Sequence, residues 1–233
     1  MTQGTAPRRL RLGMVGGGSG SYIGESHRIA ARLDDRYALL AGCLGSTPDS
    51  AARGAREIGL ERSYPTYQEM IAAETAREDG VEVVIVATPN NSHHPICKAF
   101  LEADIDVICD KPLATNVAEA RDLVQVSRQT GRFVGVTYTY CGYAMVREAR
   151  ALVAAGTLGA VRVIHSEFSS GWMSSAIEME DHKQAAWRAD PAISGPTLVV
   201  GDLGSHAFHL GEYVSGCRAA ALSADLHTFV EGR

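Results

Sequence analysis

The sequence predicts an α/β protein: an N-terminal Rossmann-type, doubly wound parallel sheet, followed by a partial α+β domain with a mostly antiparallel sheet. In the first part, short apolar runs rich in β-branched residues alternate with longer segments of helical period. These apolar runs are continuous rather than alternating, which is typical of strands covered on both faces. A glycine-rich turn directly follows the first run. We place the domain boundary after Tyr138, giving domains 1–138 and 139–233.

The elements of the first domain follow from these patterns. Strands are predicted over residues 10–15, 37–43, 81–87, 106–109 and 133–138. Helices are predicted over residues 23–33, 49–58, 67–77, 95–102 and 117–130, where apolar residues recur three or four apart. Thr115 or Asn116 is expected to cap the last helix, and Gly131 is expected to end it.

The pattern changes after Tyr138. A helix is predicted over 145–155, a strand over 161–168, a helix over 204–214 and an alternating strand over 219–230. Between them, residues 169–196 are rich in Gly, Ser, Pro and charge and show no clear period. Loops of this length are often functional, so we expect this one to border a site.

Composition narrows the class of protein. Among 233 residues, 45% are hydrophobic and 21% are charged, as in ordinary globular proteins. The net charge of −5 comes without a basic block, which argues against a nucleic-acid partner. No apolar run is long enough to span a membrane, and the apolar stretch Leu12-Gly13-Met14-Val15 near the start is too short for a signal peptide. We therefore expect a small-molecule partner.

The five cysteines show no paired metal-ligand spacing and are odd in number. Cys43 and Cys109 end predicted buried strands, where a free cysteine acts as a small hydrophobic residue. Reduced thiols and a cytoplasmic location are the simplest interpretation. We expect no bound metal, although Asp202, His206 and His209 have a spacing that a metal could use.

The glycine-rich turn predicts a dinucleotide site. A pyrophosphate needs a turn without side chains and gains from the positive end of a helix dipole. Gly16 and Gly18 meet the first need, but the third glycine of the usual motif is replaced by Ser21, so we expect Gly24 to provide close packing instead. The predicted contacts in this turn are Gly16, Gly18, Ser19, Gly20, Tyr22 and Ile23. The alternative is a turn that only joins a strand to a helix.

The end of the second strand bears on the choice of cofactor. NAD binding usually places an acidic residue there to contact the ribose. This chain instead has Ser46, with Arg53 about one helical turn beyond the start of the next helix. Ser46 is a predicted ribose or phosphate contact, and the choice between NAD and NADP stays open.

Four later segments make the chain resemble a known family. They are Thr88-Pro89-Asn90-Asn91-Ser92-His93, Asp110-Lys111-Pro112-Leu113, Trp187-Arg188-Ala189-Asp190-Pro191 and Gly201-Asp202-Leu203-Gly204-Ser205-His206. With these residues the sequence resembles the glucose-fructose oxidoreductase and inositol dehydrogenase family, written Gfo/Idh/MocA. The resemblance runs from Leu10 to the last residue. It departs from the family at Asp110, where glutamate is usual, and at Pro196-Thr197, where relatives commonly have more glycine.

The resemblance implies a role for each of these segments. The loop after the third predicted strand would lie beside the cofactor, and the next loop would carry the catalytic lysine, Lys111. Asp202 and His206 would match the family's catalytic aspartate and histidine. The expected cofactor contacts from these segments are Thr88, Pro89, Asn90, His93, Asp110, Lys111, Trp187 and Arg188.

The implied function is an NAD(P)-dependent oxidoreductase. It would move a hydride between the nicotinamide and a secondary alcohol of a sugar, cyclitol or related polyol. His206 would take the hydroxyl proton, since a free imidazole titrates near pH 6.5, Asp202 would orient the ring, and Lys111 would stabilise the developing alkoxide. Two alternatives stay open: a cofactor-assisted glycosidase of the same fold, and a non-catalytic dinucleotide-binding fragment or sensor.

The resemblance also implies a longer protein. Relatives normally complete an open antiparallel sheet in the second domain, whereas this chain ends as that sheet is expected to begin. We therefore expect a C-terminally truncated member of the family. A homo-oligomer is possible, because relatives often associate through that sheet.

Overall fold

A computed structural model of the protein describes residues 8–180 and 182–230. The chain forms two compact units, divided between Val136 and Thr137. Among the residues described, no helix is both long enough and apolar enough to cross a bilayer.

The first unit contains a six-stranded parallel sheet in the order β3-β2-β1-β4-β5-β6. The strands are β1 (Leu10–Gly16), β2 (Tyr37–Cys43), β3 (Arg62–Ser63), β4 (Val83–Ala87), β5 (Asp106–Cys109) and β6 (Val134–Val136). This order is that of two mononucleotide-binding halves, and it reverses between β1 and β4. The predicted doubly wound parallel sheet is confirmed. Only β3 was not predicted, because two residues are too few to form a pattern.

Helices connect the strands at the predicted places. They are α1 (Tyr22–Leu33), α2 (Pro48–Ile58), α3 (Tyr67–Thr75), α4 (His93–Glu102) and α5 (Val117–Thr130). Side-chain caps start four of them: Ser21, Thr47, Thr66 and Asn116 each accept a hydrogen bond from a backbone N–H in the first turn. The cap of α5 is thus Asn116, and Gly131 ends that helix with a φ of 70°.

The core lies on both faces of the sheet. All five residues of β4 are buried, which explains its uninterrupted apolar sequence. One face packs around Phe100 and Leu101 of α4 and Leu123 of α5, and the other packs around Leu12 and Met14 of β1. These clusters fix the ends of β1, β4 and β5, from which the loops of the candidate site emerge.

A buried carboxylate joins β3, α3 and the start of β4. The Glu74 side chain is fully buried and accepts hydrogen bonds from the Arg62 guanidinium at 2.7 and 3.0 Å and from the Tyr64 hydroxyl at 2.7 Å. It also accepts one from the Val81 backbone N–H at 3.0 Å. Burial raises the pKa of Glu74, but the hydrogen bonds and the Arg62 charge outweigh it and hold the pKa below its usual value.

The second unit is helical where it is regular. It contains α6 (Ala144–Ala154), α7 (Lys183–Ala189), α8 (Pro191–Ser194) and α9 (Ser205–Ser215), with one π-helical turn over Val200–Gly204. α9 covers most of the predicted helix 204–214.

The predicted strands 161–168 and 219–230 are not formed, so the expected antiparallel sheet is absent from the described part of this unit. A strand is stabilised by backbone hydrogen bonds to a neighbouring strand, and neither segment has one. Their apolar side chains stay in solvent; Val163, Leu222 and Phe229 are each more than 80% exposed.

Candidate functional site

The glycine turn after β1 fits tightly between the ends of two neighbouring strands. Gly16 has a φ of 76°, and a Cβ there would lie 2.5 Å from the Ala87 carbonyl oxygen and 2.6 Å from the Thr88 Cγ2. A Cβ on Gly18 would overlap the Leu44 carbonyl oxygen at the end of β2. Both positions therefore require glycine, and the turn presents backbone at the switch point of the sheet, where a dinucleotide pyrophosphate binds in this fold.

Gly24 supplies the close packing that position 21 cannot. A Cβ on Gly24 would overlap the Gly17 carbonyl. Ser21 instead starts α1, since its Oγ accepts a hydrogen bond from the Gly24 N–H at 3.2 Å. The prediction that Gly24 takes over the packing role is confirmed.

The turn is held from α1 as well. The Arg28 guanidinium donates a hydrogen bond to the Gly17 carbonyl oxygen, one turn after Gly24. Ser19, Gly20 and Tyr22, all predicted contacts, are exposed, and Ile23 is half-buried. The turn and the N-terminus of the 12-residue α1 thus form an open edge with backbone N–H groups and a positive dipole end, which suits an anion.

The end of β2 offers hydroxyl groups rather than a carboxylate. Ser46 is exposed. Thr47 starts α2 by accepting a hydrogen bond from the Ser50 N–H at 3.2 Å, while its own N–H donates to Ser50 Oγ at 3.0 Å. The Thr47 hydroxyl is therefore part of a helix cap, and Ser46 is the exposed hydroxyl at the position where an acid would contact the ribose.

The loops after β4 and β5 carry the next predicted residues. Thr88 follows β4, and its hydroxyl accepts a hydrogen bond from Ser92 Oγ at 2.7 Å. Asn90 is buried, while Pro89 is exposed. After β5, the Asp110 N–H donates to the Val86 carbonyl at 2.9 Å, and Asp110 Oδ1 accepts from the Lys111 N–H at 2.8 Å. The two loops are therefore neighbours at the same edge of the sheet.

His93 lies between these two loops. Its Nδ1 lies 2.7 Å from the Pro112 carbonyl oxygen and its Nε2 lies 2.8 Å from the Thr88 carbonyl oxygen. The residue is only 1% exposed. The cofactor contact predicted for His93 stays a prediction, and in the structure both ring nitrogens lie at hydrogen-bonding distance from protein backbone.

His27 was not singled out from the sequence. It lies on the buried face of α1 with Gly24 and Ala31, and its Nε2 is one of the few buried side-chain atoms in the described chain that lack a hydrogen-bond partner. Burial lowers the pKa of His27, and the negative charge of Asp110 acts in the opposite direction. The signal in the sequence was its spacing of three and four residues from Gly24 and Ala31.

In the second unit, His206 lies in an aromatic environment. It is buried on α9, and its ring contacts Tyr140 edge to face, with centroids 4.8 Å apart. Tyr138 lies at 5.7 Å in a similar geometry. One turn further along α9, His209 stacks on Tyr138 at 4.1 Å, and burial lowers its pKa. The aromatic rings therefore fix the orientation of both imidazoles.

Asp202 lies in the π-helical turn just before α9 and pairs with Arg188. The Arg188 Nε lies 3.6 Å from Asp202 Oδ2. The Arg188 guanidinium also lies over the Trp187 ring at 4.2 Å and over the Trp172 ring at 5.5 Å. The structure thus brings together Trp187, Arg188 and Asp202, while orientation of His206 by Asp202 stays a prediction. Across the described residues, no group of three or more carboxylate, imidazole or thiol side chains is arranged to hold a metal ion.

Comparison with known proteins agrees with this geometry. A family described as an oxidoreductase family with an NAD-binding Rossmann fold matches residues 10–138, and the GFO/IDH/MocA C-terminal domain family matches residues 146–233. An uncharacterized oxidoreductase of Bacillus subtilis, YfiI, is 38% identical over 96% of this chain and 58% of its own length.

Two solved structures of an inositol dehydrogenase homolog from Azotobacter vinelandii are also similar. One, in complex with NAD+, has a TM-score of 0.86 and 39% identity, covering 89% of this chain and 54% of that one. The other, with NADH and myo-inositol, has a TM-score of 0.81 and 38% identity, covering 89% and 52%. The chain spans a little over half the length of these three relatives.

Proposed function

The chain belongs to the Gfo/Idh/MocA oxidoreductase family, and from that premise we propose that it binds NAD and transfers a hydride between the nicotinamide and a secondary alcohol of a sugar, cyclitol or related polyol. The observation that carries this proposal is the turn at the switch point between β1 and β4. Neither Gly16 nor Gly18 has room for a Cβ, and Lys111 follows the neighbouring strand β5.

The first unit would hold the cofactor through backbone. The pyrophosphate would lie against residues 16–20 and the N-terminus of α1, and Ser46 would contact the adenosine ribose. Thr88, Pro89, Asn90 and Asp110 would border the nicotinamide end. NAD is favoured because the Azotobacter homolog was crystallised with NAD+, although Ser46 carries no charge that would repel the 2′-phosphate of NADP.

The protein's own groups would handle the proton while the cofactor accepts the hydride. Oxidation of an alcohol requires removal of the hydroxyl proton and stabilisation of the alkoxide that develops. The Lys111 ammonium would orient the hydroxyl and stabilise that charge, and the His206 imidazole would accept the proton. Trp187 and Arg188 would border the cofactor. Myo-inositol bound to the Azotobacter homolog favours a cyclitol among the substrate classes.

Titration with both cofactors tests the proposal. NAD and NADP are titrated into the 233-residue chain and its Lys111→Ala variant, and turnover with a panel of inositols and aldoses is followed by nicotinamide absorbance. Lys98→Ala is the matched control, since Lys98 lies on α4, where it contacts Asp122 and Glu102. We expect turnover to be lost only in Lys111→Ala, with NAD affinity retained. Absence of NAD and NADP binding by folded protein would refute the proposal.

A further inference from the structure

His93 occupies an unusual position for a histidine. Its ring is buried between the loop after β4 and the loop after β5, and both atoms facing its nitrogens are backbone carbonyl oxygens, Thr88 O and Pro112 O. A carbonyl oxygen only accepts hydrogen bonds. Because every tautomer of the ring carries at least one N–H, the ring donates a hydrogen bond to at least one of these carbonyl oxygens and contacts the other.

We propose that His93 is a positioning residue for the reaction: its buried ring bridges the carbonyl oxygens of Thr88 and Pro112 and thereby fixes the Lys111 loop against the loop that borders the cofactor. This proposal rests on the proposed function in one respect, since it takes Lys111 to be the group that contacts the substrate.

The backbone hydrogen bonds between these loops explain why this connection through His93 matters for the position of Lys111. At the sheet edge the loops are joined by the hydrogen bond from Asp110 N–H to Val86 O at 2.9 Å. Beyond it the chain leaves the sheet, and His93 provides a second connection, to the residue directly after Lys111. With both connections made, the Lys111 backbone is held on either side.

Burial of the His93 ring strengthens its contacts with the two loops. The His93 ring is 1% exposed and so is shielded from water, and hydrogen bonds are stronger in such surroundings. The ionisable groups on the Lys111 loop and in the first turn of α4 are Asp110, Lys111 and His94, and His94 Nε2 is paired with Asp122 at 2.8 Å. His94 therefore serves as a matched control, because it is the adjacent histidine but binds α5 instead of the loops.

The first test separates a role in positioning Lys111 from a role in folding. His93→Gln and His94→Gln are compared with the parent chain for melting temperature, NAD dissociation constant, kcat and KM. We expect His93→Gln to lower kcat by about tenfold or more, as misplacement of a reacting group does, while NAD affinity changes by less than about threefold. An unchanged kcat in His93→Gln, or an equal loss in His94→Gln, would contradict the proposal.

Hydrogen–deuterium exchange keeps the proposal testable if the chain shows no turnover. In His93→Gln, we expect faster exchange in residues 88–92 and 110–114 and unchanged exchange in β1 and α1. These exchange changes in His93→Gln, together with no turnover in the parent chain, would refute the proposed hydride transfer by this chain and support the role of His93 in connecting the two loops. Unchanged exchange in both loops would refute the role of His93 itself.

Discussion

Gly24 in the first turn of α1 lies directly against Gly17 in the turn after β1, so that a Cβ on Gly24 would come to 2.5 Å from the Gly17 Cα. Gly17 itself has a φ of 68°. The start of the helix and the turn are thus packed backbone to backbone. The path of the turn depends on two residues that lack side chains, seven positions apart in the sequence.

Gly24→Ala is expected to push the turn away from α1. Overpacking of this kind costs about 1–3 kcal/mol, and the displaced turn would weaken NAD binding by about tenfold or more. Urea unfolding and calorimetric titration with NAD measure the two effects. Gly142→Ala is the control, since a Cβ there meets nothing within 4 Å. Equal NAD affinity in Gly24→Ala and the parent would show that the turn does not bind the cofactor.

Arg28→Ala tests the second support of the turn. Arg28 donates to the Gly17 carbonyl, and a single hydrogen bond contributes about 0.5–1.5 kcal/mol. We expect NAD to bind about three- to tenfold more weakly. Arg32→Ala, an exposed arginine on the same helix, should leave the dissociation constant unchanged. The same loss of affinity in both variants would assign the effect to charge rather than to this hydrogen bond.

The fold of the first unit could be predicted because its signals are local. Runs such as β4 are buried on both faces and therefore uninterrupted, and Gly131 and the caps mark helix ends within one or two residues. The second unit could not be predicted in the same way. Residues 161–168 and 219–230 have strand-like sequences, but a strand also needs a neighbour, and no pattern within a segment shows whether one is present.

In the candidate site, too, local sequence predicts some residues, whereas the surroundings of others depend on distant parts of the chain. Gly16, Gly18 and Lys111 were identified from short motifs, because backbone approach and strand ends constrain the local sequence. The buried positions of His93 and His27 depend on residues distant in the sequence: Pro112 lies 19 positions after His93, and the nearby charge of Asp110 is far from α1. Such contacts become visible only when the sheet places its loops side by side.

Glu74→Gln is expected to destabilise the first unit by about 3 kcal/mol, because it removes the buried charge that pairs with Arg62 at 2.7 Å and leaves only the longer contacts to Asp79 and Glu61, at 3.8 and 4.0 Å. Chemical denaturation measures the loss, and Glu78→Gln, an exposed glutamate just after α3, is the control. Burial and the hydrogen bond to Glu74 raise the pKa of Tyr64 to about 12, so the tyrosine stays a donor at neutral pH. A loss no larger than that of Glu78→Gln would show that the ion pair adds nothing to stability.

The same carboxylate gives the protein an acid-sensitive element. Since the folded-state pKa of Glu74 lies below the ordinary value of 4.5, its contribution is complete above that pH and is lost as pH falls below it. Glu74→Gln should therefore remove part of the acid dependence of unfolding below pH 4.5. An unchanged acid transition in the variant would contradict this assignment.

His27 should make the free energy of unfolding depend on pH just below 6.5, a higher pH range than that of Glu74. Burial lowers its pKa below the usual 6.5, so the unfolded chain binds the proton more readily than the folded one. Stability is therefore complete above pH 6.5 and declines as pH falls from there towards the folded-state pKa. His209, whose pKa is also lowered, acts in the same direction, so His27 must be isolated by substitution.

His27→Leu removes the titrating group while keeping the volume and the apolar surroundings. We expect its free energy of unfolding to fall less than that of the parent between pH 7.5 and pH 5.5, as measured by urea titration at a series of pH values. His165→Gln is the control, because the His165 side chain is 85% exposed. A buried Nε2 without a hydrogen-bond partner makes protonation of His27 costly in the folded protein. If the free energy of unfolding of His27→Leu and of the parent changed equally with pH, His27 would have no such cost and the prediction would be wrong.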